Sequence, residues 1–321
     1  MAIAKAKLGE RLAGLKLQGI NPVVMVRLIE LSSQHNSDPN VYCDLAHLEP
    51  MLAGRILGTA NSCWASPLRP VTQIEHAINM IGVENIRALA LAFCLERFHA
   101  SMELDGHTTR LLWEAALLKA ITAKMLAEAV RPDWSEEAFV AGLLQDLGVP
   151  LMLSISDDYR EMLLNPVTSI EELLKFEKQF FGVDHTTVGS VIAYRLGLPM
   201  RYLTSILRHH SQPVHKTDDP DISAEWIDGI VGLLPHAGQV WNMGGLQEID
   251  GILKKFWSHR WPDLTVFLQA VTECFTQLAG KLGYDVNKME SAEELYDRLA
   301  KANAQAVSRL TQQVSRGNST V

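Results

Sequence analysis

The sequence predicts an all-α protein, and three observations predict it. Almost every apolar segment repeats with a period near 3.6 residues. None sustains the two-residue alternation that a half-buried strand requires. The breaks between segments carry helix punctuation, as where Gly197 is followed by Pro199. With 321 residues and 47% hydrophobic content, the chain can build one large domain or two modest ones. Its 29 Lys+Arg against 37 Asp+Glu give a formal charge of −8. That balance argues against a general nucleic-acid binder, whose phosphate contacts need a basic face.

Taken in order, Pro22 to Gln34 forms the first helix, with Val23, Val26 and Ile29 marking its spacing. The polar stretch Ser32–Pro39 ends it, and Leu45–Asn61 reads as a short helical turn followed by a helix starting at Pro50, with Leu52, Ile56 and Leu57 inward. Thr72 and Glu75 form a T-x-x-E capping box for a helix that stops at Gly82. Val83–Phe98 is strongly apolar, and after the polar break Ser101–Gly106 the amphipathic helix His107–Ala129 carries Leu111, Ala115, Leu118, Thr122 and Met125 on one stripe. Pro132 and Asp133 end it. Ser135 and Ala138 begin a helix carrying the pair Gln145-Asp146, and Phe139–Leu153 reads as that helix running into a Gly-Val-Pro turn.

Ser169 and Glu172 repeat the capping box and open Ile170–Phe181, which Gly182 stops. Asp184 caps His185–Leu196, and Met200–His210 follows. Ser211–Asp221 is the most linker-like piece. Four further helices are expected at Ala224–Trp241, Leu246–Phe256, Leu264–Leu282 and Ala292–Thr311, then a polar tail. The longest apolar run, Ala88–Leu95, is far below the ~20 residues of a membrane span, and the N-terminus MAIAKAKLGERLAG lacks a signal peptide's apolar core. Cys43, Cys63, Cys94 and Cys274 have no CxxC spacing; all but Cys43 sit in apolar helical patterns, so buried reduced thiols and a cytoplasmic location are expected.

Three stretches in this order resemble the HDOD family, diverged bacterial relatives of the HD-domain metal phosphohydrolases. They are HLEPMLAGRILGTANSCW (His47–Trp64) with IEHAINMIGVENIRALALA (Ile74–Ala92), then LWEAALLKAITAKMLAE (Leu112–Glu128) with EEAFVAGLLQDLG (Glu136–Gly148), and finally FEKQFFGVDHTTVGSVIAYRLGLP (Phe176–Pro199) with ILRHHSQP (Ile206–Pro213). The match covers roughly residues 20 to 215. The resemblance implies an N-terminal helical lobe over 1–105 and a degenerate HD-like core over 106–215; beyond it the helical spacing leads to the expectation of a C-terminal helical extension over 222–313 and the polar composition to that of a disordered tail over 314–321.

HD enzymes hold one or two divalent metals with a His, an adjacent His-Asp, further histidines and a distal Asp, and the metal activates a water to attack phosphorus. Carried over by position, the first His is Ala115 here and the His-Asp pair is Gln145-Asp146, while His185, His209 and His210 match histidines of related sequences. Asp228 is the nearest candidate for the distal Asp, with His236 eight residues on. A neutral amide is a poor substitute for an imidazole. The resemblance therefore implies a vestigial pocket of Ala115, Gln145, Asp146, His185, His209 and His210, with no metal or other cofactor and no catalytic residue. It also implies a non-catalytic signalling module that acts on protein partners, with no nucleic acid or membrane. Two alternatives stay open: a residual metal-dependent phosphohydrolase of a nucleotide or phosphoester, and a sensor of a small phosphate or nucleotide ligand.

Simpler roles exist for the same residues. His209 and His210 at a helix C-terminus can satisfy carbonyls and suit the helix dipole. His185 can make a structural hydrogen bond, and Asp146, ill-placed for the dipole near a helix end, needs a partner such as one of these histidines. Asn61 fits a left-handed position after its helix. Trp113, Trp226, Trp241, Trp257 and Trp261 read as core, and His35, His47, His76, His99, His107, His215 and His259 as surface groups.

Overall fold

Helix α1 (Ala2–Ala13), which sequence patterning does not announce, packs Ala4 and Leu8 inward one turn apart. Only two buried groups, with Lys5, Ala6 and Lys7 exposed between them, make a weak periodic signal. The computed structural model describes residues 2–15, 21–32, 38–61, 70–130, 132–164, 170–210, 253, 261 and 264–281. Among these there is no strand. Helix α2 (Pro22–Ser32) buries Val24, Met25, Leu28, Ile29 and Leu31, while Val23 is exposed.

Helix α3 (Pro39–Leu48) is longer than the expected single turn. Asp38 starts it by accepting from the Asn40 N–H at 2.9 Å, with Pro39 at the first position. Helix α4 (Pro50–Ala60) buries Leu52 and Ile56. Asn61 after it is not left-handed, at φ −95°; its side chain instead donates to the Leu57 and Val71 carbonyls and accepts from the Val71 N–H. The Thr72–Glu75 capping box does not form, because the N-cap of α5 (Ile74–Ile81) is Gln73, which places Glu75 one position too early.

Helix α6 (Val83–Ala100) is buried on nearly all sides, from Ile86 through Phe98. Each such fully buried aliphatic or aromatic side chain contributes roughly 1.5–3 kcal/mol. Helix α7 (Gly106–Val130) runs alongside α8 (Ser135–Leu144) at very short range. A Cβ on Gly142 would lie 2.8 Å from the Lys119 carbonyl oxygen, so only glycine permits that approach. The helix expected to carry Gln145-Asp146 into a Gly-Val-Pro turn ends sooner: Gln145–Gly148 is the turn, and Val149 and Pro150 open a separate helix, α9 (Val149–Leu153). Proline at the first turn of a helix loses no bond.

Helices α10 (Asp157–Leu164), α11 (Ile170–Phe180), α12 (His185–Arg195) and α13 (Met200–Arg208) complete the HD-like half. Helix α14 (Leu264–Lys281) lies on α7, where Phe275 meets Trp113 at 6.4 Å between ring centroids. Buried residues from Ala4 to Ala279 form one contiguous apolar cluster. Cys43 and Cys94 are buried as free thiols, and burial raises Cys94 to about 12; Cys274, expected inside, is exposed. Among the described residues no single helix is long and apolar enough to cross a membrane. Apart from Leu253, which is buried, the helices expected at 224–241, 246–256 and 292–311, the tail, Cys63, Asp228 and His236 lie outside the described residues.

Candidate functional site

Five segments deliver polar groups to one buried point: the middle of α7, the turn after α8, the second half of α11, the first turn of α12 and the end of α13. Their convergence follows from local chemistry. Asp184 caps α12 by accepting from the Thr187 N–H at 3.0 Å, and from the Thr186 and Thr187 hydroxyls at 2.9 and 2.7 Å. Lys178 on α11 pairs with its other oxygen at 3.1 Å. Burial works against the Asp184 charge, but these hydrogen bonds hold its carboxyl below the usual range. The α8–α9 turn then reaches α12 through two glycines. A Cβ on Gly148 would stand 2.2 Å from the His185 carbonyl oxygen, and one on Gly189 would stand 3.0 Å from the Gly148 nitrogen. Backbones in such contact fix Asp146 beside His185.

His185 is completely buried, as expected for a structural histidine, and its partner is Glu177 on α11. The Glu177 carboxylate, itself fully buried, accepts from the His185 backbone N–H at 2.9 Å, from the His185 ring Nδ1 at 2.9 Å and from the Tyr159 hydroxyl at 2.6 Å. Burial disfavours a charged His185, yet the adjacent Glu177 and then Asp146 outweigh it and raise its pKa. Burial and Glu177 push the Tyr159 hydroxyl well upward. His209 donates from Nδ1 to the Ile206 carbonyl at 2.7 Å, the capping role foreseen for it.

The three histidines nevertheless also meet. His185 Nε2 lies 3.4 Å from His209 Nε2 and 3.2 Å from His210 Nε2. Asp146 Oδ1 is 3.9 Å from the first and 3.7 Å from the second of the Nε2 atoms of His185 and His209. The partner of Asp146 that sequence reasoning missed is Lys119, whose ammonium sits 2.6 Å from Oδ2 while its side chain is 1% exposed. Burial lowers the Lys119 pKa and Asp146 opposes that shift. A signal for it was available. Lys119 follows Ala115 by one helical turn on a face that is otherwise apolar, and a lysine there needs a buried anion. Glu177, eight residues before His185, carried no comparable flag.

Gln145 is fully buried beside this group, and Ala115 is buried on α7. His99, expected at the surface, is instead buried on α6; burial lowers it to about 3, with Asp146 pulling the other way. His47, His76 and His107 are exposed as expected, while His35, His215 and His259 lie outside the described residues. Trp113 and Trp261 are buried.

The HDOD domain model matches residues 20–212. No curated protein sequence is detectably similar. Among solved structures, an HDOD domain protein from Geobacter sulfurreducens is 18% identical with a TM-score of 0.59, over 87% of this chain and 97% of that one. A Marinobacter aquaeolei VT8 protein, provisionally named for signal transduction, is 17% identical with a TM-score of 0.59, over 88% of this chain and 66% of that one. A Shewanella amazonensis SB2B protein, provisionally named a metal-dependent phosphohydrolase, is 17% identical with a TM-score of 0.52, over 88% of this chain and all of that one. At such identities these likenesses speak for the fold, which is HD-like and helical in each. With the family model spanning more than half of its length, the chain belongs to the HDOD family.

Proposed function

We propose that this chain is a non-catalytic signal-transduction module that acts through protein partners, its ancestral HD pocket closed. The observation that carries the reading is the Lys119–Asp146 ion pair. The carboxylate that the HD pattern spends on a catalytic metal is held here by a fixed ammonium. Ala115 and Gln145 stand where two nitrogen ligands would be, and Lys119, Gln145, His185 and His209 are all buried. A hydrolase needs an open coordination position and a path for its substrate, and burial of these groups speaks against both. The test is a turnover screen of the full chain against phosphomonoesters, phosphodiesters and nucleotides, with Mg2+, Mn2+, Fe2+ or Zn2+ supplied. No turnover above that of Asp146→Asn is expected. Activity that Asp146→Asn abolishes overturns the reading. For the interaction half, a specific partner is expected on affinity capture with the full chain from a producing organism, and none under several growth conditions removes it.

The meeting of His185, His209 and His210 favours one second reading, a metal-dependent phosphohydrolase, and the same screen decides between the two.

A further inference from the structure

We propose that the cleft between α6, α7, α8 and α14 binds a small zwitterion of the α-amino-acid class, with its carboxylate on Arg87 and Lys124 and its ammonium on Glu84 and Glu128. The cleft has a volume of about 240 Å3 and shares no residue with the histidine group. The inference goes beyond the regulatory reading and does not rest on it, although a bound amino acid would give a signalling module its input.

The charges are the first argument. Arg87, whose side chain is 4% exposed, pairs with Glu136 at 3.3 Å, and Lys124 reaches the same carboxylate at 2.6 Å. These three groups together carry one more positive charge than negative. Two further carboxylates line the cleft one helical turn along. Glu84 precedes Arg87 by three residues on α6, and Glu128 follows Lys124 by four on α7, spacings that bring side chains to ~5–6 Å between Cβ atoms. Among the described residues neither Glu84 nor Glu128 has a cation paired with it. A lone anion in the cleft meets these two carboxylates, and a lone cation meets Arg87 and Lys124. A molecule that carries both charges complements both pairs.

Size and lining are the second argument. Ile121, Met125 and Phe139 are buried side chains that give the cleft apolar walls, and Leu278 of α14 adds to them. Drug-sized ligands take clefts of ~300–1,000 Å3, mostly apolar with a few placed polar groups. A cleft of about 240 Å3 with the same mixture takes something smaller, and it disfavours a nucleotide by both size and charge. An aliphatic, thioether or aromatic amino-acid side chain would fill the apolar part.

The placement gives the site a use. Cys274, Gln277 and Leu278 come from α14, whereas the charged groups come from α6, α7 and α8. An occupant therefore bridges α14 to the rest of the fold and adds to the Trp113–Phe275 contact. A ligand that binds only the docked arrangement stabilises it by mass action. The concentration of a free amino acid is thereby converted into the tightness of α14 docking.

The experiment titrates L-leucine, L-isoleucine, L-methionine and L-phenylalanine into the full chain by calorimetry and follows thermal unfolding with each. At least one is expected to bind saturably, one per chain, and to raise Tm. For that amino acid, the deaminated acid and the amide each lack one charge and should bind more weakly by roughly tenfold or more. Glu128→Gln should weaken binding to a similar degree, while Asp158→Asn, exposed on α10, should leave it unchanged. Glu128 is half-buried, so circular dichroism and Tm without ligand separate lost binding from lost folding. Location is read from Cys274, an exposed free thiol of the cleft lining, whose alkylation by N-ethylmaleimide the bound amino acid should slow severalfold. Saturable binding by none of the four overturns the proposal, as does equal affinity for the amide or the deaminated acid, or for folded Glu128→Gln. An alkylation rate that the amino acid leaves unchanged places its binding elsewhere and overturns the proposal too.

Discussion

At the residue scale the decisive pair is Lys119 and Asp146. A buried ion pair adds little over an apolar replacement of the same shape, but removing one partner leaves a charge without its counter-ion. Lys119→Met and Asp146→Asn should each cost about 3 kcal/mol in urea unfolding. The double variant should cost well below the sum, because it strands neither charge. Additive losses would show that the two groups are not coupled. The other site residues were legible to different degrees. Asp146, His185, His209 and His210 are found by matching family motifs, since each stands beside a helix end with its own punctuation. Lys119 and Glu177 are invisible to that matching because neither stands at a position of the motifs. Only their charge on buried faces marks them, and burial on a face is settled by tertiary packing.

At the element scale, helix identities follow from periodicity, while phases and ends follow from contacts. The buried face of α2 is set by its contacts, and Gln145–Gly148 turns because its backbone must meet His185 and Gly189 on α12, a demand made about forty residues along the chain rather than locally. Gly148→Ala should therefore destabilise by about 3 kcal/mol or more, backbone against backbone having no cheap relief. Gly58→Ala, on the exposed face of α4 with open space around it, should instead stabilise by roughly 0.5–1 kcal/mol. Thermal unfolding of the two variants checks the contrast, and a tolerated Gly148→Ala would contradict the close crossing.

Helix α7 offers a pH test. Asp105 precedes it, accepting from the Thr108 hydroxyl at 2.7 Å and the Thr108 N–H at 2.9 Å, and pairs with Arg160. The Thr108 hydroxyl, the Thr108 N–H and Arg160 hold the Asp105 carboxyl below its ordinary range. A carboxylate with a depressed folded-state pKa favours folding above its unfolded value of ~3.9, and that contribution is lost as pH falls through the folded value. Asp105→Asn keeps a capping oxygen but has no charge to titrate. The advantage of the unsubstituted chain over Asp105→Asn should hold near neutrality and shrink from ~pH 4 downward. An advantage that stays constant into acid would refute the assignment.

At the scale of the whole molecule, the expected boundary at residue 105 falls between α6 and α7, and the packing argues that the two sides unfold together. Helix α2 touches both α6 and α8, and the apolar cluster runs through all of them without a gap. Arg87 on α6 ties the halves by polar contact as well. Its Nε donates to the Tyr42 hydroxyl on α3 at 3.2 Å, and its guanidinium pairs with Glu136 on α8 at 3.3 Å. Glu136 in turn accepts from Lys124 on α7 at 2.6 Å. A shared core of this kind makes partial unfolding expose apolar surface on the half left behind, so the transition should be cooperative. Far-UV circular dichroism reports on every helix, whereas tryptophan fluorescence in a Trp64→Phe background reports only on residues past the boundary, beginning with Trp113 and Trp134. The two signals should coincide during urea unfolding. Arg87→Met leaves Glu136 with one cation fewer and should move both midpoints down together, by about 3 kcal/mol of stability. If the dichroism midpoint falls while the fluorescence midpoint stays, the N-terminal helices are a separate folding unit, and signals can pass between the halves by docking and release. If both fall together, a partner that binds either half acts on the whole molecule at once.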